Sequence, residues 1–307
     1  MDIDGDLETF AGLPVRDVED ESAAPDDPAA VAWRFSAGYG EADRIPELFA
    51  EILERTGPAG PTALIFGNWG GAMEERFPIE LLLDNVDRLP NLRAVFAGDM
   101  SSEECEISWI KQVDVTPLLT AFPRLECLWV RGSDGLALTP VRHENLRELS
   151  FQSGGLPVTV VRAVGACDLP ALEELDLWLG IAEYGGETTV DDLAPILSGR
   201  PFPALTHLGL RNSEIQDQVA AAVASAPVVA KLTVLDLSMG TLGDEGVEAL
   251  LAGQPLTHLE RLDVSHHFVS PELAQRLVDE LPGVEVDISD EQDEDDEEFG
   301  RYTAVDE

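Results

Sequence analysis

The side chains of this chain that could act as acids and bases lie in three neighbouring phrases of its sequence. The phrases LTHLGLR, LTVLDLS and LERLDVS contain His207, Asp236 and Asp263. A histidine and carboxylates within hydrogen-bond reach of one another are a common pair for general acid–base catalysis. The phrases supply neither a nucleophile nor a set of oxyanion donors. We therefore interpret these residues as part of a binding surface, and an acid/base enzyme is the alternative.

Other segments with possible site chemistry predict neither a metal nor a cofactor. DIDGDLE, residues 2–8, resembles a calcium loop, but its glycine comes two places early and Leu13 stands where the closing glutamate belongs. His266 and His267 are adjacent in or after a strand, so their side chains should diverge rather than share an ion. GNWGG lacks the lysine and the helix that a phosphate-binding loop requires.

The elements that position these residues come from one recurring phrase, L-x-x-L-x-L or a close variant. Neighbouring copies are 21 to 33 residues apart. A strand followed by a helix cannot bury its own apolar face, so such copies must stack on one another. The phrases begin at Leu92, Leu125, Leu146, Leu172, Leu205, Leu232, Leu259 and Val284.

Helices with one apolar stripe are predicted between the phrases. Thr189, Asp244 and Ser270 precede or open three of them as capping residues. Alternation predicts two earlier strands, over 31–36 and 62–69. The predicted helices cover 46–57, 79–90, 115–122, 158–166, 190–197, 215–226, 244–253 and 271–281.

The phrase, its turn and its helix resemble the leucine-rich repeat, and the spacing is similar to the ribonuclease-inhibitor-like type. The resemblance covers Leu92–Ile288, and Ala29–Asn91 is interpreted as one or two degenerate opening repeats. The whole chain also resembles a bacterial family of single-chain leucine-rich-repeat proteins. The consensus asparagine after the strand is met only by Asn212, so we expect irregular turns.

This resemblance implies an α/β leucine-rich-repeat solenoid, or horseshoe, with parallel strands on the concave face and helices on the convex face. We predict an acidic, partly flexible N-terminal segment over 1–28, a repeat domain over 29–289 and an acidic disordered tail over 290–307.

In such a strand the leucines point inward and the residues between them point outward. Outward tryptophan beside arginine is typical of a binding hot spot. The alternative is that an N-terminal flap around Leu7–Val18, or a loop over 180–188, covers the tryptophans. The predicted partner-binding residues are Phe96, Trp129, Arg131, Trp178, His207, Arg211, Asp236 and Asp263.

The charge of the chain restricts its partners. Sixty aspartates and glutamates stand against 19 lysines and arginines, giving a formal charge of −41. Such a chain repels phosphate backbones and anionic lipid, so no nucleic acid or membrane partner is expected. The outward aspartates of adjacent phrases, Asp176, Asp236, Asp263 and Asp287, form a row that could take a cationic segment. The alternative is a solvated face of an acidic protein. A GC-rich genome or a high-salt cytoplasm could each account for the acidity.

The remaining features favour a cytoplasmic protein. The first residues show no basic leader or signal-length apolar run, and no later apolar run approaches a membrane span. Cys105, Cys127 and Cys167 are odd in number and far apart in the sequence, which is typical of reduced cytosolic thiols. Cys127 and Cys167 are expected to be buried packing residues.

The predicted function is a non-catalytic protein-interaction or scaffolding module that binds a protein or peptide on its concave face. Related genes tend to lie near genes for radical and ATP-dependent biosynthetic enzymes, so the resemblance implies a modifying enzyme or its peptide as partner. The alternatives are the enzyme that uses His207, Asp236 and Asp263, and a structural protein without a ligand.

Overall fold

Each predicted leucine phrase forms a β-strand, and each strand is followed by a turn and, in most repeats, a helix. The computed structural model describes residues 7–20, 27–293 and 300–306. Residues 2–8, the predicted N-terminal segment (1–28) and the predicted tail (290–307) therefore lie partly outside the described residues. The chain divides into two compact units, Met1–Leu149 and Ser150–Glu307.

The first unit contains six strands that are hydrogen-bonded in chain order. β1 and β2 form an antiparallel hairpin, and β2 to β6 are parallel neighbours. The strands are β1 (Thr9–Phe10), β2 (Leu13–Asp17), β3 (Ala32–Ala37), β4 (Ala63–Trp69), β5 (Ala94–Ala97) and β6 (Cys127–Arg131), and the helices are α1 (Arg44–Thr56), α2 (Glu80–Leu83) and α3 (Thr116–Ala121).

Strand β7 (Glu148–Gln152) crosses the division, and the second unit continues with strands in chain order. Its neighbouring strands from β8 to β12 are parallel. The strands are β8 (Glu174–Gly180), β9 (His207–Ser213), β10 (Val234–Asp236), β11 (Arg261–Asp263) and β12 (Glu285–Asp287), and the helices are α4 (Val158–Ala166), α5 (Val190–Leu197), α6 (Gln216–Val223), α7 (Asp244–Ala252) and α8 (Pro271–Glu280).

The core of the second unit is built from rows of leucines that cross the strands. Leu175, Leu208, Leu235 and Leu262 are partners in the strand register. Each is fully buried between the sheet and the helices. Burying a leucine side chain contributes roughly 1.5–3 kcal/mol, so every repeat adds to a continuous core that no single repeat could form.

Residues in the left-handed conformation recur at one repeating position, near or just beyond the ends of the last four strands. The φ angles are 51° at Asn212, 67° at Met239, 55° at His266 and 60° at Asp290. The amide of Met239 donates to the carbonyl of Ser265 in the next repeat, over 2.9 Å. The expectation of irregular turns is therefore wrong here, because the same backbone turn recurs with different side chains.

Helix ends show which capping predictions hold. Thr189 caps α5 as predicted, and with Asp192 it forms a capping box in which the Thr189 amide donates to Asp192 over 2.9 Å. Ser270 makes no side-chain cap, and Gly243 rather than Asp244 caps α7. Instead, Asp244 accepts the Ser270 amide at 2.7 Å.

The helix predicted over 79–90 is shorter than expected. It consists of α2 and a separate 3-10 turn, Val86–Arg88. Between them, the side-chain amide of Asn85 donates to the carbonyl of Leu81 at 3.0 Å. Asparagine side chains compete with the backbone in this way, which disfavours continuing a helix.

Replacing Thr189 with alanine is expected to lower the free energy of unfolding of the second unit by about 1 kcal/mol, because it removes the cap hydroxyl. Hydrogen bonds from Thr189 and Arg162 lower the pKa of Asp192 to about 2. The stabilisation from Asp192 is therefore present above its unfolded pKa and is lost as pH falls toward 2. Urea unfolding at pH 7 and at acid pH measures both effects. Thr189→Ser keeps the hydroxyl and should remain within about 0.5 kcal/mol of the parent.

Candidate interaction surface

In the first unit, the outward face of the strands is covered by the N-terminal hairpin formed by β1 and β2. The ring of Phe10 lies 5.9 Å from that of Phe96 and 5.2 Å, edge-on, from that of Trp129. Leu13 and Val15 add to this apolar cluster. Phe96 is completely buried and Trp129 is half-buried. The prediction that Phe96 faces solvent is therefore wrong. For Trp129, the alternative of an N-terminal flap holds in part, because the hairpin covers one side of its ring.

Small side chains on the strands make room for this hairpin. Ala32, Ala63 and Ala94 are partners across β3, β4 and β5, and all three are fully buried. Larger residues at these positions would hold the hairpin away from the sheet. The hairpin and the strand face therefore form a second apolar core of the first unit.

Arg131 is also buried, contrary to the prediction that it is an exposed hot-spot residue. It is 3% exposed, its guanidinium lies 5.4 Å from the centre of the Phe96 ring, and it donates to the carbonyl of Met100. Because the guanidinium of Arg131 is bonded within its own chain, it is not available to a partner in this state.

Phe10→Ala is expected to lower the free energy of unfolding of the first unit by about 3 to 5 kcal/mol, because it removes a buried ring from two aromatic contacts. Chemical denaturation measures the loss, and hydrogen exchange over residues 9–17 should show that the hairpin opens more often. Thr9→Ala, at the exposed neighbouring position, should change stability by less than about 0.5 kcal/mol. Equal stability of the two variants would contradict the packing described for Phe10.

In the second unit, the outward face is polar and is organised around Arg211. Its guanidinium reaches Asp236 at 3.2 Å and Asp176 at 3.7 Å, and its carbon Cζ lies 5.3 Å from the centre of the Trp178 ring. The indole N–H of Trp178 donates to Asp176 at 3.0 Å. Trp178 is completely buried, so the prediction that it faces solvent is wrong. Within the unit, Arg211 covers the face of the Trp178 ring and Asp176 accepts its N–H.

Asp236 and Asp176 are carboxylates taken largely out of water. Burial, reinforced by the nearby charges of Asp263 and Asp176, raises the pKa of Asp236 despite the opposing charge of Arg211. Oδ1 of Asp176 has no hydrogen-bond donor among the described residues. A Cβ at Gly209 would lie 2.3 Å from this oxygen, so glycine is needed beside it.

A second arginine cluster lies on β11 and β12. The guanidinium of Arg261 donates to Asp263 at 2.8 Å, to Glu285 at 2.7 Å and to Asp287 at 2.8 Å. Burial opposes ionisation of Asp263, but hydrogen bonds from Arg261 and Ser265 outweigh it and lower its pKa. This part of the face is accessible, since the side chains of Arg261 and Glu285 are 38% and 70% exposed.

The strand register separates the three candidate acid/base residues. His207 lies level with Val234, whereas Asp236 and Asp263 are partners in a row two residues further along. His207 faces Glu174 at 3.6 Å instead. The geometry therefore does not assemble the histidine and the two aspartates into one group. Among the described residues, there is also no cluster of three or more side chains suited to hold a metal ion.

The described part of the predicted tail contacts the second unit. The Val305 amide donates to the side chain of Asn212 at 3.1 Å, and the Ala304 amide donates to the carbonyl of Met239 at 2.8 Å. The Tyr302 ring lies 5.4 Å from that of His266. For residues 300–306 the expectation of a disordered end is wrong, because successive left-handed turns supply partners for them.

Asp236→Asn and Asp263→Asn are expected to show opposite pH dependences, although the two residues are strand partners. The raised pKa of Asp236 means that parent stability, relative to Asp236→Asn, falls as pH rises from about 3.8 through that pKa. The lowered pKa of Asp263 means that parent stability, relative to Asp263→Asn, rises as pH increases up to about 3.8. Urea unfolding between pH 3 and 7 tests this, and equal signs for both pairs would contradict it.

Sequence reasoning named Arg211, His207, Asp236 and Asp263 as binding residues, and it placed Asp176 and Asp287 with the two aspartates in one outward row. Asp176, Arg261, Glu285 and Asp287 occupy outward positions of the same phrases. The alternation within the phrases predicts this outward placement for all four residues. The partners of each carboxylate depend on the strand register, which the sequence alone does not show.

Comparison with known proteins agrees with this architecture. A family model described as a leucine-rich repeat matches residues 230–251. Among 14 matching chains of solved structures, a crystal structure of a Bacteroides fragilis protein from a structural genomics consortium is 30% identical. The match covers 89% of this chain and 77% of that chain, with a TM-score of 0.79. The comparison with curated proteins gave no match.

Within the described parts of the chain, none of the helices has both the length and the apolar character needed to cross a membrane. The predicted α/β leucine-rich-repeat fold is confirmed by the strand and helix alternation and by the solved relative. By its recurring strand, left-handed turn and helix, and by these matches, the chain belongs to the bacterial leucine-rich-repeat proteins.

Proposed function

We propose that this protein is a non-catalytic interaction module whose second unit binds a cationic segment of a partner protein. The binding surface, here called the acidic strand face, consists of Glu174, Asp176, His207, Arg211, Asp236, Arg261, Asp263, Glu285 and Asp287. It contains six carboxylates and two arginines, so it retains a strong negative charge near neutral pH.

The single observation that carries this proposal is the binding of Arg261 on the acidic strand face. Its guanidinium is held by three carboxylates on two strands at 2.7 to 2.8 Å. Arginine and carboxylate groups make some of the strongest protein hydrogen bonds. The carboxylates of the acidic strand face are thus spaced to hold a guanidinium. The exposed carboxylates on the same face can hold a second guanidinium, supplied by a partner.

The difference in exposure between the two strand faces supports placing the binding surface on the second unit. In the first unit, the N-terminal hairpin occupies the face and buries Phe96. In the second unit, the side chains of Glu174, His207 and Asp287 are 30 to 36% exposed. A polar, partly hydrated surface of this kind is typical of interfaces that form and separate. Cys105, Cys127 and Cys167 are buried and form no disulfide among the described residues, which fits the proposed cytoplasmic location.

The test uses short synthetic peptides in which arginine, glutamine or glutamate alternates with serine. The arginine peptide should bind, and its affinity should weaken as salt rises from about 0.05 to 0.15 M because the charges are screened. Fluorescence anisotropy of labelled peptides measures the binding. Neutralising three carboxylates, in Glu174→Gln/Glu285→Gln/Asp287→Asn, should weaken it at least about tenfold.

The matched control is Glu245→Gln/Glu248→Gln/Glu272→Gln, which removes the same charge from exposed positions on helices α7 and α8. This variant should retain binding to within about threefold, because only general attraction changes. Equal losses in the two triple variants, or equal binding of the arginine and glutamine peptides, would refute the acidic strand face as a specific site.

A further inference from the structure

The exposed large apolar side chains of the first unit lie in consecutive loops. Tyr39 follows β3, Met73 follows β4 and Trp109 follows β5, and they are 73%, 48% and 48% exposed. Among the described residues, Tyr302 is the one other large apolar residue with comparable exposure. We call Tyr39, Met73 and Trp109 the loop-edge patch. It presents outward aromatic residues, which the strand face does not.

Backbone contacts bring these three loops together. The Gly40 amide donates to the carbonyl of Gly70 at 2.8 Å, and the Lys111 amide donates to the carbonyl of Ala72 at 2.9 Å. The Tyr39 ring lies against Gly71, where an added Cβ would be 3.4 Å from its edge. The loop with Met73 is therefore joined on one side to the loop with Tyr39 and on the other to the loop with Trp109.

The central loop is held in one conformation. Oδ1 of buried Asn68 accepts the amides of Gly70 and Gly71 at 3.1 and 3.0 Å. Gly70 has a φ of 96°, and a Cβ there would lie 2.3 Å from the backbone of Ala42, so no larger residue fits. A surface fixed before binding loses little conformational entropy when a partner docks.

A groove of about 310 Å³ opens where this loop meets α1 and α2. Its apolar lining includes Ile45, Trp69 and Leu81, and its rim carries Glu75, Glu80, Asp84 and Arg76. A groove of this size can receive one large apolar side chain. The loop that carries Met73 also supplies Glu75 and Arg76 to the lining, so the groove adjoins the loop-edge patch.

The charge around the patch indicates the chemistry of its occupant. Burial is the main cause that raises the pKa of Cys105, in the loop after β5, to about 11, and the neighbouring charges of Glu106 and Glu104 add to it. In these loops and near α2, exposed acidic residues far outnumber Arg44, Arg76 and Lys111. They include Glu41, Asp43, Glu74, Glu75, Glu80, Asp84, Glu103, Glu104 and Glu106.

This charge disfavours a second copy of the chain on the patch, because symmetric docking would bring acid against acid. It equally disfavours phosphate backbones and anionic lipid. Exposed tyrosine, tryptophan and methionine are residue types enriched at protein interfaces. We propose that the loop-edge patch docks a partner protein through a segment in which a large apolar side chain is flanked by lysine or arginine.

The test uses the full chain labelled with fluorotryptophan and three short synthetic peptides. The first carries leucine and phenylalanine between arginines, the second has glutamates in place of the arginines, and the third has alanines in place of the apolar anchors. Fluorine NMR resolves signals from the five tryptophans, and Trp109→Phe assigns that of Trp109. The first peptide should shift the Trp109 signal, and the other two should not.

Affinity should fall about 10- to 30-fold in Trp109→Ala and in Met73→Ala, as for other hot-spot residues. Both side chains are exposed, and circular dichroism checks that the variants fold. Charge reversal in Glu75→Lys/Glu106→Lys should also weaken binding, whereas Glu183→Lys/Glu187→Lys makes the same change of net charge at exposed positions of the second unit and should preserve it.

The proposal is overturned if the first peptide leaves the Trp109 signal unmoved, if either control peptide binds equally well, or if Trp109→Ala and Met73→Ala retain full affinity. Dimerisation in sedimentation experiments that is lost in Trp109→Ala would also overturn it, in favour of a second copy. The variant Glu174→Gln/Glu285→Gln/Asp287→Asn should leave this binding intact, which separates the patch from the acidic strand face.

Discussion

Parallel pairing in register is the constraint on which each unit depends. In the second unit it aligns Leu175, Leu208, Leu235 and Leu262 into one buried row. Because side chains alternate along a strand, a slip by one residue would exchange the leucines with the charged residues between them. The apolar row therefore fixes the register, and the register then fixes which aspartate lies beside which arginine.

The same alternation gives the outward faces of the two units different chemistry. Alanines and Phe96 on the first face make a surface that must be covered, and the N-terminal hairpin inserts Phe10 there. The second face carries charges that are satisfied by their neighbours, above all Arg211 and Arg261. Apolar surface in water is costly, whereas paired charges tolerate partial hydration. The two faces therefore differ in what they leave available for recognition.

Charge in the second unit is organised rather than merely abundant. Each arginine of the face lies among several carboxylates, and burial pushes the pKa of Asp236 up while donors pull that of Asp263 down. Removing one member of such a group leaves the others unpaired and desolvated. The cluster consequently has defined positions for positive charge. It does not have the arrangement of an acid/base site, since His207 lies in a different row.

The sequence by itself determined the fold, because leucines at fixed spacing can be buried only when strands stack in parallel. Helices α4 and α5 were predicted to the residue, since Thr189 and the apolar stripe mark their limits. The sequence also showed which residues point away from the leucine rows. It could not show whether they meet water, because that depends on segments distant along the chain.

Only the tertiary structure decided which outward residues are exposed. Phe10, 86 positions before Phe96, buries that ring, and Arg211 closes over Trp178. The large apolar residues of the first unit that remain exposed, Tyr39, Met73 and Trp109, lie in loops without a repeating pattern, where a sequence carries little signal. Alternation along a strand is a local property, whereas exposure is set by long-range packing, and recognition depends on exposure.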